Sequence, residues 1–122
     1  MRPCIERSLL HSDCGEAGGE FLFSFAESEG VFLGHFPGYP ILPGVFQLEM
    51  ARFACERGTG RRLEIEKIKK AKFTRPILPE EPVSLSVKIQ PRDGAWHVQA
   101  AFSVCGEEAG SASMILHGRI CD

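Results

Sequence analysis

The alternation of apolar and polar positions divides the chain into an early period-two stretch, one long apolar run and a period-two remainder. Phe21, Phe23 and Phe25 fall on one side of an extended segment with Leu22 and Ser24 between them, which predicts a first strand with one buried face. Val31, Phe32 and Leu33 form a short apolar segment after a turn at Glu29 and Gly30. Residues 43–57 behave differently. Pro43 suits a first helical position, Gly58 and Gly60 end the run, and Val45, Phe46, Leu48, Met50, Ala51, Phe53, Ala54 and Cys55 leave little room for a polar face. This predicts a core helix that other elements must wrap.

Beyond the helix, Leu63, Ile65, Ile68, Ala71 and Phe73 alternate with two slips, one between Ile65 and Ile68 and one between Ile68 and Ala71. Such slips predict a bulged or strongly bent strand. Val83, Leu85, Val87 and Ile89 oppose Ser84, Ser86 and Lys88 in a clean half-buried strand, and Asp93 with Gly94 signals a hairpin. Trp96, Val98, Ala100, Phe102 and Val104 then alternate with His97, Gln99 and Ser103, a turn follows at Gly106 and Glu107, and Ala112, Met114 and Leu116 share one face of a last strand. The order is strand, helix, then three or four antiparallel strands, an α+β layout. All of it fits one domain over residues 1–122, with residues 1–19 expected to form a loosely ordered N-terminal segment.

The formal net charge of −2 gives no reason to expect a nucleic-acid partner. No stretch approaches the length of a membrane span, and Glu6, Asp13, Glu16 and Glu20 stand where a signal peptide would be apolar, so a cytoplasmic location is expected. Cys4, Cys14, Cys55, Cys105 and Cys121 show no CxxC spacing and no matching histidines, which argues against both a disulfide framework and a metal site. His11, His97 and His117 read as structural or solvated.

The candidate chemistry gathers at the front of the helix. Glu49 has Val45, Phe46 and Phe53 on its own side, and loss of hydration among such neighbours disfavours a charged carboxylate. The plainer alternative is a pair with Arg52 or Arg57, or access to solvent. Leu42, before Pro43, has no side-chain acceptor to cap the first helical amides, so the Gly44 N–H is left for a negative or developing negative oxygen. His35 stands in a loop stiffened by Pro37, Pro40 and Pro43 and supplies a base that titrates near neutrality, unless it is simply a packed loop histidine.

The stretch HFPGYPILPGVFQLE at residues 35–49 resembles the signature of the beta-hydroxyacyl-ACP dehydratases, the FabZ/FabA family, and IKKAKFTRPILP at residues 68–79 resembles that family's strand and turn after the helix. The resemblance implies a hot-dog fold, with the sheet curled around the helix, and a homodimer with two sites, each taking His35 from one subunit and Glu49 from the other. It implies that His35 removes the α-proton of a 3-hydroxyacyl thioester, Glu49 protonates the departing hydroxyl, and the Gly44 N–H polarises the thioester carbonyl. No cofactor is implied beyond the phosphopantetheine the substrate carries. Phe36, Val45, Phe46, Leu48 and Phe53 are the candidates for lining the acyl tunnel.

One position departs from the pattern: Phe53 stands where many members carry a glutamine that orients the acid. Gln47 together with Phe53 is more similar to the small dehydratases of secondary acyl pathways such as aryl polyene synthesis. Arg61, Arg62, Lys67, Lys69, Lys70, Lys72 and Arg75 are candidates for docking an acidic acyl carrier protein, although Glu64, Glu66, Glu80 and Glu81 dilute the run, as on an ordinary solvated face. A hot-dog thioesterase and a non-catalytic carrier-binding scaffold are the alternatives, and neither uses His35, Gly44 and Glu49 together.

Overall fold

The computed structural model describes residues 2–32 and 40–119. In chain order the elements are α1 (Arg2–Ser8), β1 (Leu9–Gly15), β2 (Gly18–Ser24), a 3-10 turn (Gly30–Phe32), α2 (Gly44–Thr59), β3 (Leu63–Phe73), β4 (Pro82–Arg92), β5 (Ala95–Val104) and β6 (Glu107–Gly118). The strands form one antiparallel sheet in the order β1-β2-β4-β5-β6-β3. β1 and β3 are therefore its two edges, and α2 lies against its concave side, meeting β1, β2, β3 and β4.

The expected core helix is α2, beginning one residue later than the sequence predicts. Pro43 is its N-cap, in extended conformation (φ −63°, ψ 149°), because a proline before the first turn presets φ and has no amide to lose. Gly60 ends the helix in the left-handed region (φ 71°), and its N–H donates to the Glu56 carbonyl at 2.9 Å. The strand after it slips register against β6 between Ile65 and Lys67 and between Ile68 and Lys70, so the two breaks in alternation are bulges. Asp93 and Gly94 both have positive φ (54° and 77°), as do Cys105 and Gly106 (51° and 83°), the geometry of two-residue hairpins between right-twisted strands.

The N-terminal expectation is corrected. In place of a loosely ordered segment, residues 2–15 form α1 and then β1, which pairs with β2 from Leu9↔Phe23 to Gly15↔Gly18. Ile5 fixes α1 in the core at 1% exposure, and Arg7 donates to the Glu29 carboxylate at 2.6 and 3.2 Å.

The core lies between α2 and the sheet. Phe21, Phe23 and Phe25 stack in file, with ring centroids 6.5 and 5.9 Å apart, and α2 adds Phe46 edge-on to Phe25 (5.5 Å, 79°) and Phe53 edge-on to Phe23 (6.4 Å, 64°). From the other strands come Leu63, Val83, Leu85, Phe102, Met114 and Leu116, all buried. Each large apolar side chain so buried contributes roughly 1.5–3 kcal/mol. Among the described residues, no helix is long and apolar enough to cross a membrane.

The close approach of α2 to the β1–β2 hairpin requires glycine at residue 58, since a Cβ there would sit 2.5 Å from the Gly15 carbonyl oxygen. Alanine at a helical position normally gains about 1 kcal/mol over glycine. Here the obstacle is backbone, which cannot rotate away, so the clash outweighs the propensity gain. Gly58→Ala is expected to destabilise the fold by about 1–2 kcal/mol net, read as a lower urea midpoint. An unchanged or raised midpoint would show that the hairpin is not held at this contact.

Candidate active site

At the N-terminus of α2, Phe46 and Gln47 both donate to the Pro43 carbonyl at 3.1 Å, so the intrahelical ladder starts there. The first two helical amides, those of Gly44 and Val45, have no acceptor among the described residues, and Pro43 offers no side-chain cap. These donors and the positive end of the helix dipole favour negative charge at this point. The Gly44 Cα is covered by the ring of Phe73 from the end of β3, and a Cβ at residue 44 would lie 2.6 Å from Phe73 Cε2. The same ring closes on Gly110 of β6, where a Cβ would meet Phe73 Cδ1 at 3.0 Å.

Two cavities flank this helix end. One, of about 530 Å³, runs between α2 and the end of β3 and is lined by Ile41, Gly44, Val45, Gln47, Phe73 and Arg75, among others. The other, of about 430 Å³, lies between α1 and α2 and includes Cys4, Val31, Pro43, Val45 and Phe46. Val45 lines both and is 61% exposed, unusual for a large apolar side chain in the first turn of a buried helix. Gln47 is buried, its Nε2 donating to the Leu42 carbonyl at 3.2 Å, while its Oε1 has no partner among the described residues. A buried acceptor left in that state costs about 1–3 kcal/mol.

Glu49 lines neither cavity. Its Oε2 accepts from Arg52 Nε at 2.6 Å, and both side chains are 26% exposed, so the pairing with Arg52 weighed as the plainer alternative is present. Arg52 is itself anchored, since Nη1 donates to the Leu63 carbonyl at 3.0 Å and lies 3.6 Å from Glu56 Oε2. Glu56, 9% exposed, accepts the Leu63 N–H at 2.8 Å and also bonds the Arg2 guanidinium, which lies 5.1 Å over the Phe53 ring. Orientation of Glu49, for which residue 53 offers no donor, comes from residue 52 instead. The sequence reading singled out neither Glu56 nor Arg2. Glu56 carried the same signal as Glu49, a carboxylate in a nearly apolar helix, whereas Arg2 meets it from 54 positions away.

Of the other residues named from sequence, His35 and Phe36 lie outside the described residues. Phe46 walls the smaller of the two flanking cavities, while Leu48 and Phe53 are buried and line neither. Lys67, Lys69, Lys70 and Lys72 are exposed along the edge strand β3. Arg61 and Arg62 stand apart from them at the C-terminal end of α2. Arg75 is engaged internally, donating to Glu81 at 3.0 and 2.7 Å and to Glu107 at 3.0 Å. Burial, with Glu56 adding to it, pushes the Cys55 thiol up to about 12, which keeps it protonated and inert. No cluster suited to a metal ion occurs among the described residues.

Residues 12–114 match the ApeI-like family, described as ApeI dehydratase. The 3-hydroxyacyl-[acyl-carrier-protein] dehydratase FabZ of Anaeromyxobacter sp. (strain Fw109-5) is 32% identical over 104 residues, covering 75% of this chain and 66% of that protein. FabZ of Latilactobacillus sakei subsp. sakei (strain 23K) is 35% identical over 95 residues, covering 71% and 68%. The chain thus spans about two thirds of the length of these relatives. Among solved structures, the dehydratase heterocomplex ApeI:P from Xenorhabdus doucetiae superposes with a TM-score of 0.79 at 19% identity, over 91% of this chain and 96% of that one. The fold is the hot dog, with a central helix and a six-stranded antiparallel sheet.

The Arg75–Glu81 pair staples the turn that carries Phe73 toward Gly44, and it titrates. Hydrogen bonding from Arg75, helped by the Leu78 amide, holds the Glu81 carboxyl below its ordinary value of 4.5 against the opposing effect of desolvation. A lowered folded-state value contributes stability that is present above the unfolded value and is lost as pH falls through the folded one. Unfolding free energy followed from pH 6 downward is expected to fall below about pH 4.5, more steeply in wild type than in Glu81→Gln. Parallel curves for the two proteins would remove this pair from the acid response.

Proposed function

Because the chain belongs to the ApeI-like dehydratase family, we propose that it eliminates water from a 3-hydroxyacyl thioester, carried on acyl carrier protein, to give the trans-2-enoyl thioester. The observation that carries this reading is the uncapped N-terminus of α2, where the Gly44 amide lies beside a cavity walled by Val45 and Phe73. A thioester carbonyl accepting from that amide has its α-proton acidified, and the enolate-like charge that develops falls at the positive end of the helix dipole.

His35 takes the α-proton, the electron pair forms the α–β double bond, and the β-carbon–oxygen bond breaks as Glu49 delivers a proton to the departing hydroxyl, which leaves as water. Carbon undergoes no net redox change in the elimination, so acid, base and oxyanion donor suffice. Arg52 sets the position of the Glu49 carboxyl, and delivery of its proton requires that contact to loosen. In one chain Glu49 faces the start of β3 rather than the cavity beside Gly44. This supports a two-chain active unit in which His35 and Gly44 of one copy meet Glu49 of another.

Of the sheet's two edges we assign the joining of copies to β3, where Ile68 is 45% and Phe73 41% exposed. The lysines of β3 give the acidic carrier protein a complementary surface. The acyl chain belongs to fatty acid or related synthesis, and Gln47 with Phe53 favours a secondary pathway of the aryl polyene type.

The test is turnover of a 3-hydroxybutyryl thioester on carrier protein, with product identified by enoyl absorbance and mass. His35→Ala and Glu49→Gln are each expected to lower kcat by about a hundred- to ten-thousand-fold while the dimer persists. Release of free thiol without enoyl product would replace this reading with a thioesterase, and no product from short, long or aryl acyl groups would leave a binding scaffold.

A further inference from the structure

The C-terminal end of α2, opposite to Gly44, opens on a cavity of about 330 Å³ in which Arg2, Arg52, Arg61, Arg62 and Arg119 surround Glu56. Part of this charge is answered within the chain. Glu56 bonds Arg2 and lies 3.6 Å from Arg52, and Arg119 reaches Glu64 at 3.5 Å. Arg61 lies 5.6 Å over the Trp96 ring, and neither Arg61 nor Arg62 has a carboxylate within 4.0 Å among the described residues. The negative end of the helix dipole attracts cations here, but it amounts to only about half an elementary charge. Two exposed guanidinium groups lining a cavity whose carboxylate is already engaged exceed what the fold requires.

We propose that this cavity binds the phosphate of the substrate's pantetheine arm. The inference rests on the thioester reading above and adds a place for the far end of the arm. Guanidinium forks match phosphate oxygens two at a time, and a partly enclosed site strengthens those bonds. The spacing also fits. From Glu49 to Gly60 the helix rises over eleven residues, about 16 Å at 1.5 Å each, comparable to the reach of an extended pantetheine arm between thioester and phosphate. Arg52 joins the two ends, with Nε on Glu49 and Nη1 at the cavity beside Glu56. Arg61 and Arg62 thereby acquire a role distinct from that of the β3 lysines, holding the arm while the lysines face the carrier's surface.

The phosphate is either the diester that links the arm to a carrier protein or the diphosphate of a coenzyme A thioester. Both sources are tested with butyryl thioesters, which have no β-hydroxyl to eliminate, so that binding is read without turnover. Calorimetric titration of wild type at fixed ionic strength is expected to give about tenfold tighter binding for butyryl-phosphopantetheine than for butyryl-pantetheine. The ratio should collapse toward one in Arg61→Gln/Arg62→Gln and persist in Lys88→Gln, on the far side of the sheet. A coenzyme A thioester no tighter than the phosphopantetheine thioester identifies the arm's own phosphate, and a tighter one identifies the diphosphate. Equal affinities for the phosphorylated and unphosphorylated arms in wild type, or a ratio that survives the double substitution, would overturn the proposal. The two readings fail separately: equal affinities alongside enoyl formation sink only the phosphate site, and a preserved ratio without enoyl product sinks only the dehydratase.

Discussion

Glu56 is the carboxylate on which the geometry of this protein turns: one oxygen accepts the Leu63 amide at 2.8 Å, the other meets the Arg2 guanidinium, and Arg52 stands 3.6 Å away. It joins the last turns of α2 to the first residue of β3, the next element, and to α1, 54 positions away in sequence. A carboxylate this enclosed is tolerable only with such partners, since without them its lost hydration would go uncompensated. The same cluster fixes Arg52, and Arg52 fixes Glu49. A structural ion-pair cluster at one end of the helix therefore determines where the candidate acid points in the middle of it.

The two ends of α2 are finished in opposite ways. The C-terminus is closed by Gly60 and by the Thr59 hydroxyl, which donates to the Cys55 carbonyl at 2.8 Å. At the N-terminus proline precedes glycine, and the first amides remain unpartnered among the described residues. Chain closure needs the first arrangement for stability, whereas the second leaves donors whose cost is recovered only when an oxygen occupies them. Phe73 adds the steric half of this device, because only glycine at positions 44 and 110 lets its ring lie against the helix start.

Much of this was legible in the order of residues. The core helix, the bulges of β3 and the hairpin at Asp93 and Gly94 follow from local periodicity and backbone preference, which neighbouring residues impose on one another. Residues 9–15 gave no such signal. β1 is an edge strand with only Leu9 and Ser12 partly covered, so selection for a buried face never wrote an alternation into it. Its place comes from pairing with β2, which sequence pattern alone does not encode.

At the site, the sequence by itself determined the residue types: a carboxylate in an apolar helix, a glycine after a proline at the helix start, and a histidine motif that resembles the FabZ/FabA signature. Only the tertiary structure decided their surroundings. Of the two partners weighed for Glu49, Arg52 holds it, Arg2 meets Glu56 over the Phe53 ring, Arg75 is taken up by Glu81 and Glu107, and Arg61 and Arg62 line a cavity with residues from both ends of the chain. The physical reason is range. Helical and strand periodicity act over a few residues and bring only Arg52, one turn away, to Glu56; Arg2 and the Leu63 amide reach it from other elements, selected by distance in space rather than by any local pattern.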